Sequence, residues 1–260
     1  MAKIIFGFLL LFFFYHAAEY MVIKENNALG FLVFQALFFV AASLIARWQG
    51  VRGLSAWGII FKKRMVKNLL FGLLAGFFVY GFYFLVSLNL GFEQIESVPE
   101  TRTFIQSFLL LTFGTFFSSL SEDVLTRSYI YKHFSKKIPS GVLLILSSAL
   151  YVINHIYRLG DGFQVLLYLF IIGLFLMIAL MVTKNIWLTL GLHWSGNIVY
   201  QVTNNIIQTS STTNDSKQLW LYISFLVLLI PLTYFVATYL TKRKSKFLSF
   251  AKSNKKVIHH

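Results

Sequence analysis

The sequence predicts an all-α polytopic membrane protein, a bundle of about eight transmembrane helices with both termini on the cytoplasmic side. Three observations carry this reading. Hydrophobic residues make up 57% of the 260-residue chain and charged residues 12%, against about a quarter charged in an ordinary globular domain. Apolar runs of about 20 residues, the length that crosses a bilayer core at 1.5 Å per residue, recur along the chain. Lys and Arg between those runs collect on one side. The 29 Phe and five Trp suit lipid-facing surfaces and interfacial belts.

In chain order the runs fall near residues 4–23, 29–48, 68–89, 104–131, 140–157, 163–183, 186–206 and 218–240. The first follows Lys3 and ends without an A-x-A cleavage site, so it reads as a retained helix rather than a signal peptide. Residues 49–67 mix apolar and basic side chains and are expected to lie on the membrane surface as an amphipathic segment. Residues 207–217 read as a flexible connector. With eight spans and the N-terminus inside, Arg47, Arg52, Lys62, Lys63, Arg64, Lys67, Lys132, Lys136, Lys137 and Lys184 are cytoplasmic, and the outside receives Lys24, Arg102, Arg158 and Lys217. An odd number of spans would put the basic tail on the wrong face. The expected organisation is a single transmembrane bundle over 1–241, with a catalytic core at about 104–206, and a basic cytoplasmic tail over 242–260. The terminal His259-His260 is too short a run to argue a metal site.

The net charge of +14 fits loops beside anionic lipid, with no nucleic-acid partner expected. The absence of Cys excludes disulfides and thiolate chemistry. No internal repeat is visible.

Ionisable groups within spans cost roughly 2.5–3.5 kcal/mol or more each on insertion scales, so each is a functional candidate. The fourth span carries Glu122-Asp123-Val124-Leu125-Thr126-Arg127, the fifth Tyr151-Val152-Ile153-Asn154-His155, and the seventh His193-Trp194-Ser195-Gly196-Asn197. Asp123 and Arg127 are one helical turn apart and can pair, leaving Glu122, about 100° away round the helix, to face a reactant. Tyr151 with His155, and His193 with Asn197, share a face by the same spacing. The three polar stretches fall at comparable depth in the inner half to middle of the membrane, so one shared site is expected. Ser118, Ser119 and Ser121 read as interhelical glue. His16 and Glu19 in the first span either line the same cavity or sit near the external interface, the second being the expected position.

In order and spacing the three motifs resemble the CAAX protease and bacteriocin-processing (CPBP, Abi) family of intramembrane endopeptidases, whose signature is E-E-x-x-x-R, F-x-x-x-H and H-x-x-x-N or D on successive helices. The resemblance covers about residues 104–206. It implies that Glu122, with His155, activates water for attack on a peptide bond, that His193 and Asn197 stabilise the oxyanion, and that Asp123, Arg127 and Tyr151 support them. Four positions depart from the family pattern: Asp123 stands for the second Glu, Thr126 for Phe, Ser128 for Gly and Tyr151 for Phe.

The expected substrate is a membrane-associated peptide or protein, and the expected location a bacterial cytoplasmic membrane. No cofactor is expected. The competing mechanism is a zinc metalloprotease with Glu122, His155 and His193 as ligands, although H-E-x-x-H is absent. A serine mechanism through Ser195 lacks its G-x-S-G context, and an aspartyl mechanism lacks a second intramembrane Asp. Outside the enzymes, a transporter would show inverted repeats and broken helices, and an immunity or scaffold protein would tolerate loss of Glu122.

Overall fold

The computed structural model describes residues 1–211 and 215–257 and is a helical bundle. The helices are α1 (Ala2–Ile23), α2 (Ala28–Trp48), α3 (Lys63–Asn89), α4 (Thr101–Asp123), α5 (Tyr129–Phe134), α6 (Ser140–Asn154), α7 (Phe163–Thr183), α8 (Trp187–Gln201) and α9 (Asp215–Val257). A π-helical turn, Val124–Ser128, joins α4 to α5 without a break, and a second, Val202–Ile206, extends α8. The chain is a multi-pass membrane protein. Among the described residues, six helices are long and apolar enough to span: Ala2–Ile23, Ala28–Trp48, Met65–Asn89, Thr101–Phe134, Phe163–Thr183 and Ser216–Lys242.

These six account for all the expected runs but the fifth and the seventh. The fifth run forms the 15-residue α6, about 22 Å long at 1.5 Å per residue, and the seventh forms α8, which the second π-turn carries on to Ile206. These are the two that carry the His motifs. Helix α6 stops because His155 leaves helical geometry (φ −86°, ψ 57°) and its N–H bonds the Val152 carbonyl. The turn that follows is set by Gly162 at φ 95° and by an Arg158–Asp161 ion pair at 3.0 Å.

Two further expectations change. Residues 208–211 are not a plain connector: a strand β1 (Glu93–Ser97) pairs antiparallel with β2 (Gln208–Ser211), tying the α3–α4 and α8–α9 loops together. Residues 212–214 of that stretch lie outside the described residues. The 49–67 segment is not simply laid on the surface. Its 3₁₀ turn, Gly53–Trp57, buries Trp57, which stacks on Tyr129 at 5.0 Å and donates its indole N–H to the Ala42 carbonyl. A buried indole needs such an acceptor. The tail continues as helix to Val257, and His259-His260 lie outside the described residues.

Two large apolar clusters fill most of the bundle, with a smaller third around Ile130, Leu143, Met177 and Leu180. One gathers α3, α7, α8 and α9 around Phe175, Leu176, Leu192 and Leu226; the other gathers α1, α2 and α4 with the segments beside them around Leu11, Phe38, Trp57, Leu120 and Val124. Helix α8 belongs to both, through Leu188 and Leu192 on one side and Leu190 on the other. The polar motifs lie along this seam.

Helix α8 is set against α3 by small residues. Gly72 and Gly76 form a G-x-x-x-G step, and Gly191 and Ser195 a matching one. A Cβ on Gly72 would stand 2.6 Å from the Leu188 carbonyl and 2.9 Å from Gly191 Cα, and one on Gly191 would meet the Leu69 carbonyl. Backbones approach this closely in membranes only where side chains are missing. Gly72→Leu is expected to destabilise the bundle by about 1–3 kcal/mol or more through overpacking. Gly81→Leu, with open space around its Cβ, is expected to be close to neutral, and unfolding of the detergent-solubilised chain distinguishes the two.

Candidate active site

The chemistry-bearing residues come from the C-terminal end of α4, the end of α6 and the middle of α8. Glu122 and Asp123 are the last two residues of α4, and the π-turn begins directly after them. Its i→i−5 hydrogen bond runs from the Tyr129 N–H to the Val124 carbonyl. Turns of this kind leave a carbonyl out of the α ladder and concentrate at functional sites. Here the Thr126 carbonyl accepts from Ser147 Oγ of α6 at 2.8 Å, locking the turn to the neighbouring helix.

Asp123 is fully buried. Its Oδ1 accepts from Arg127 Nη1 at 2.6 Å and from His193 Nδ1 at 3.1 Å. The pairing with Arg127 is the one the spacing predicts; the contact with His193 is not legible in one helix's spacing. Because a carboxylate can only accept, Nδ1 carries the hydrogen, and Nε2 of His193 is directed at Glu122 Oε2 (3.5 Å) and the Tyr151 hydroxyl (3.4 Å). Arg127 lies over the Tyr151 ring at 4.4 Å and also donates to Thr126 Oγ1 at 3.0 Å. One carboxylate thereby places the cation, the aromatic ring and the imidazole.

Glu122, 4% exposed, is the point on which the other groups converge. Its Oε1 accepts from Asn154 Nδ2 at 3.0 Å and faces His155 Nδ1 at 3.6 Å, and its Oε2 faces His193. Asn154 was not assigned a role from sequence. The residue stands inside the second motif, but an amide at a helix end gives no signal until the partner carboxylate is located. His155 packs its ring against that of Tyr151 at 4.6 Å, on the shared face their spacing predicts. As the C-cap it folds back so that Nδ1 donates to the Tyr151 carbonyl at 2.8 Å, satisfying one of the carbonyls a helix end leaves open. Its side chain is 20% exposed, the most open of the three central groups.

Asn197 lies one turn beyond His193, and its amide donates to Ser119 Oγ at 2.9 Å. That bond ties α8 to α4 one turn from Glu122 and leaves the second amide N–H of Asn197 to serve. Ser121 bonds carbonyls of its own helix and bridges nothing. Ser195 donates to the Leu192 carbonyl and packs against Gly76, away from the cluster.

Three of the four departures from the family pattern are accommodated. Asp123 reaches both Arg127 and His193, Thr126 Oγ1 donates to the Glu122 carbonyl at 2.7 Å, and Tyr151 adds a hydroxyl beside His193. Nothing in the structure explains the hydroxyl of Ser128, which is buried without a partner.

A zinc ion needs lone pairs converging at about 2.0–2.2 Å. The His155 nitrogen nearest Glu122 carries a hydrogen given to the Tyr151 carbonyl, and His193 Nδ1 is spent on Asp123. Among the described residues no three His, Cys, Asp or Glu side chains gather as a metal site. A zinc ion would have to take Nε2 of both rings together with Glu122, leaving each Nδ1–H on its present acceptor.

Residues 104–199 match the model of the Rce1-like family, described as type II CAAX prenyl endopeptidase Rce1-like. The matched segment contains all three motifs, so the resemblance read from them and the family match name the same group of membrane proteases. No curated protein and no solved structure matches the chain.

Arg127→Met is expected to destabilise the fold by about 3–5 kcal/mol, because it leaves the Asp123 charge buried and uncompensated. Asp123→Asn combined with Arg127→Met is expected to recover much of that loss. A denaturation series on the single and double variants measures the coupling; additive losses would contradict a direct pair.

Proposed function

We propose that the chain is an active intramembrane endopeptidase in which Glu122 activates water for attack on a peptide bond of a membrane-associated peptide or protein. The observation that carries this reading is the convergence of Asn154, His155 and His193 on one buried carboxylate, in a segment that matches a protease family.

Glu122 takes a proton from water as the water oxygen bonds the scissile carbonyl carbon. Asn154 holds one carboxylate oxygen and leaves lone-pair directions open for this transfer. The carbonyl electrons move to oxygen, and that oxyanion is met by His193 and the free N–H of Asn197. Donating from Nε2 while Nδ1–H stays on Asp123 requires the doubly protonated ring, which the Glu122 and Asp123 carboxylates on either side accommodate. Collapse of the intermediate breaks the C–N bond, and the proton held by Glu122 passes to the departing amine. Fixed donors in a water-poor site typically contribute about 3–4 kcal/mol each.

The substrate class follows from the surroundings. An open apolar groove of about 810 Å³, lined by Leu109, Leu110, Phe113, Phe116, Phe117 and Trp194, runs along α4 beside the residue next to His193. Its chemistry suits a lipid chain or an apolar segment that stays in the bilayer while the neighbouring peptide is cut. We place both termini on the cytoplasmic side of a bacterial plasma membrane, in keeping with the charge asymmetry of the loops, and treat 1–241 as one bundle with a basic tail.

An internally quenched peptide ending in a prenylated CAAX sequence, presented in detergent micelles, tests the reading. Cleavage is expected to fall about 10²–10⁴-fold in Glu122→Gln and about 10²–10³-fold in His193→Ala. Full activity in Glu122→Gln would end the proposal. A metal-free mechanism predicts an unchanged rate in EDTA; complete loss restored by Zn²⁺ would replace it with the zinc version.

A further inference from the structure

A second groove opens where the chain enters α3. It holds about 280 Å³ and is lined by Phe61 and Lys62 from the approach to the helix, by Lys63, Met65, Val66 and Leu69 of α3, and by Trp187, the first residue of α8. Its frame is pinned by hydrogen bonds. The Trp187 indole donates to the Ile60 carbonyl at 2.9 Å, and Asn68 Nδ2 donates to Asn185 Oδ1 at 3.1 Å, each tying the start of α3 to the start of α8. The Phe61 ring meets that of Trp187 edge-on at 5.3 Å.

The lining changes character along the helix axis. The apolar span begins at Met65, so Lys62 and Lys63 stand at its rim, and Leu69 lies about 9 Å beyond Lys63 at 1.5 Å per residue. Cations at the rim, an aromatic pair beside them and aliphatic side chains further in follow the order of a phospholipid, from phosphate to hydrocarbon. Phe61 is 82% exposed and Val66 56%. Apolar groups left this open beside charged ones mark a contact surface rather than a wetted one. The two lysines are also uncompensated. Neither has an ion-pair partner among the described residues. The sequence holds no Asp or Glu between Glu25 and Glu93 or between Asp161 and Asp215, the two stretches that build the groove.

We infer that this groove is a binding site for one anionic phospholipid, with its phosphate between the Lys62 and Lys63 ammonium groups and an acyl chain along Met65, Val66 and Leu69 beside Trp187. A lysine near an anionic lipid surface gains about fivefold in affinity. A zwitterionic lipid brings its own cation to the same two ammonium groups and forfeits that gain. The lipid covers the joint between the first turns of α3 and α8, six residues before His193, and clasps the helix pair that the glycine steps bring together. The assignment stands apart from the proteolytic reading of Glu122.

Native mass spectrometry tests it on the full chain released from micelles that contain equal amounts of phosphatidylglycerol and phosphatidylcholine. The wild-type chain is expected to retain one phosphatidylglycerol with a preference of about tenfold or more. Lys62→Gln/Lys63→Gln is expected to bring the preference to within about twofold, and Lys62→Arg/Lys63→Arg, which keeps the charge, to preserve it. Lys132→Gln/Lys136→Gln removes the same charge from two exposed lysines of another loop and is expected to change nothing. Equal retention of the two lipids by the wild type would overturn the inference. So would equal losses in the Lys62/Lys63 and Lys132/Lys136 glutamine variants, which would show general surface charge only. Displacement of the retained lipid by an equal concentration of glycerol phosphate would show an anion site that does not use the groove, and would overturn the lipid assignment as well.

Discussion

A single buried carboxylate, Asp123, is what the rest of the polar interior depends on. A carboxylate removed from water cannot stay charged without compensation, and the penalty runs to several kcal/mol. Asp123 meets that requirement with Arg127 at 2.6 Å and His193 at 3.1 Å, from two different helices. Each partner is then fixed by the need it satisfies. Arg127 comes to rest on the Tyr151 ring, and His193, with Nδ1–H on Asp123, is held so that Nε2 turns towards Glu122. Because the surroundings are apolar, these contacts act in a low dielectric, where both their strength and the cost of losing one are raised. Glu122 can remain available to a reactant because its neighbour has absorbed the local cation.

The apolar frame does the complementary task of bringing the helices to the right separation. Helix α8 reaches α3 backbone to backbone through Gly72 and Gly191, while Trp194 donates its indole N–H to the Thr112 carbonyl of α4 at 3.0 Å. His193 sits between these two fixings and has little freedom to shift along or around its helix. The site is thus set by close packing on one side and by hydrogen bonds on the other, and its polar groups occupy the boundary between two separately packed apolar clusters.

Much of this was legible in the sequence. Long apolar runs, basic loops and the Asp123–Arg127 spacing are local signals, and the structure returns the bundle and that ion pair. The convergence of the three motifs followed from depth alone. What escaped was whatever depends on a helix not continuing. Hydrophobicity extends through residues 140–157, yet α6 ends at Asn154, because the cap is decided by a ring-to-carbonyl bond that a hydropathy pattern does not register. The contact of Asn154 with Glu122 is lost from view for the same reason. The small ribbon of β1 and β2 joins segments 111 residues apart or more, beyond the reach of periodicity. The G-x-x-x-G step in α3 was a readable signal, a known marker of close helix contact.

The π-turn at Val124–Ser128 has a consequence for how this chain can change in length. A wide turn closes its ring with one residue more than an α-turn, so it absorbs a single extra residue while the helix before and after it keeps its original phase. Deleting one residue here would leave an unbroken α-helix with Glu122 and the Tyr129 face still pointing as before. One residue removed elsewhere in α4 would instead rotate everything upstream by about 100° relative to the motif. Helix α4 is therefore a frame tolerant of insertion and deletion at one turn and intolerant at the others, and that turn sits immediately beside Glu122 and Asp123.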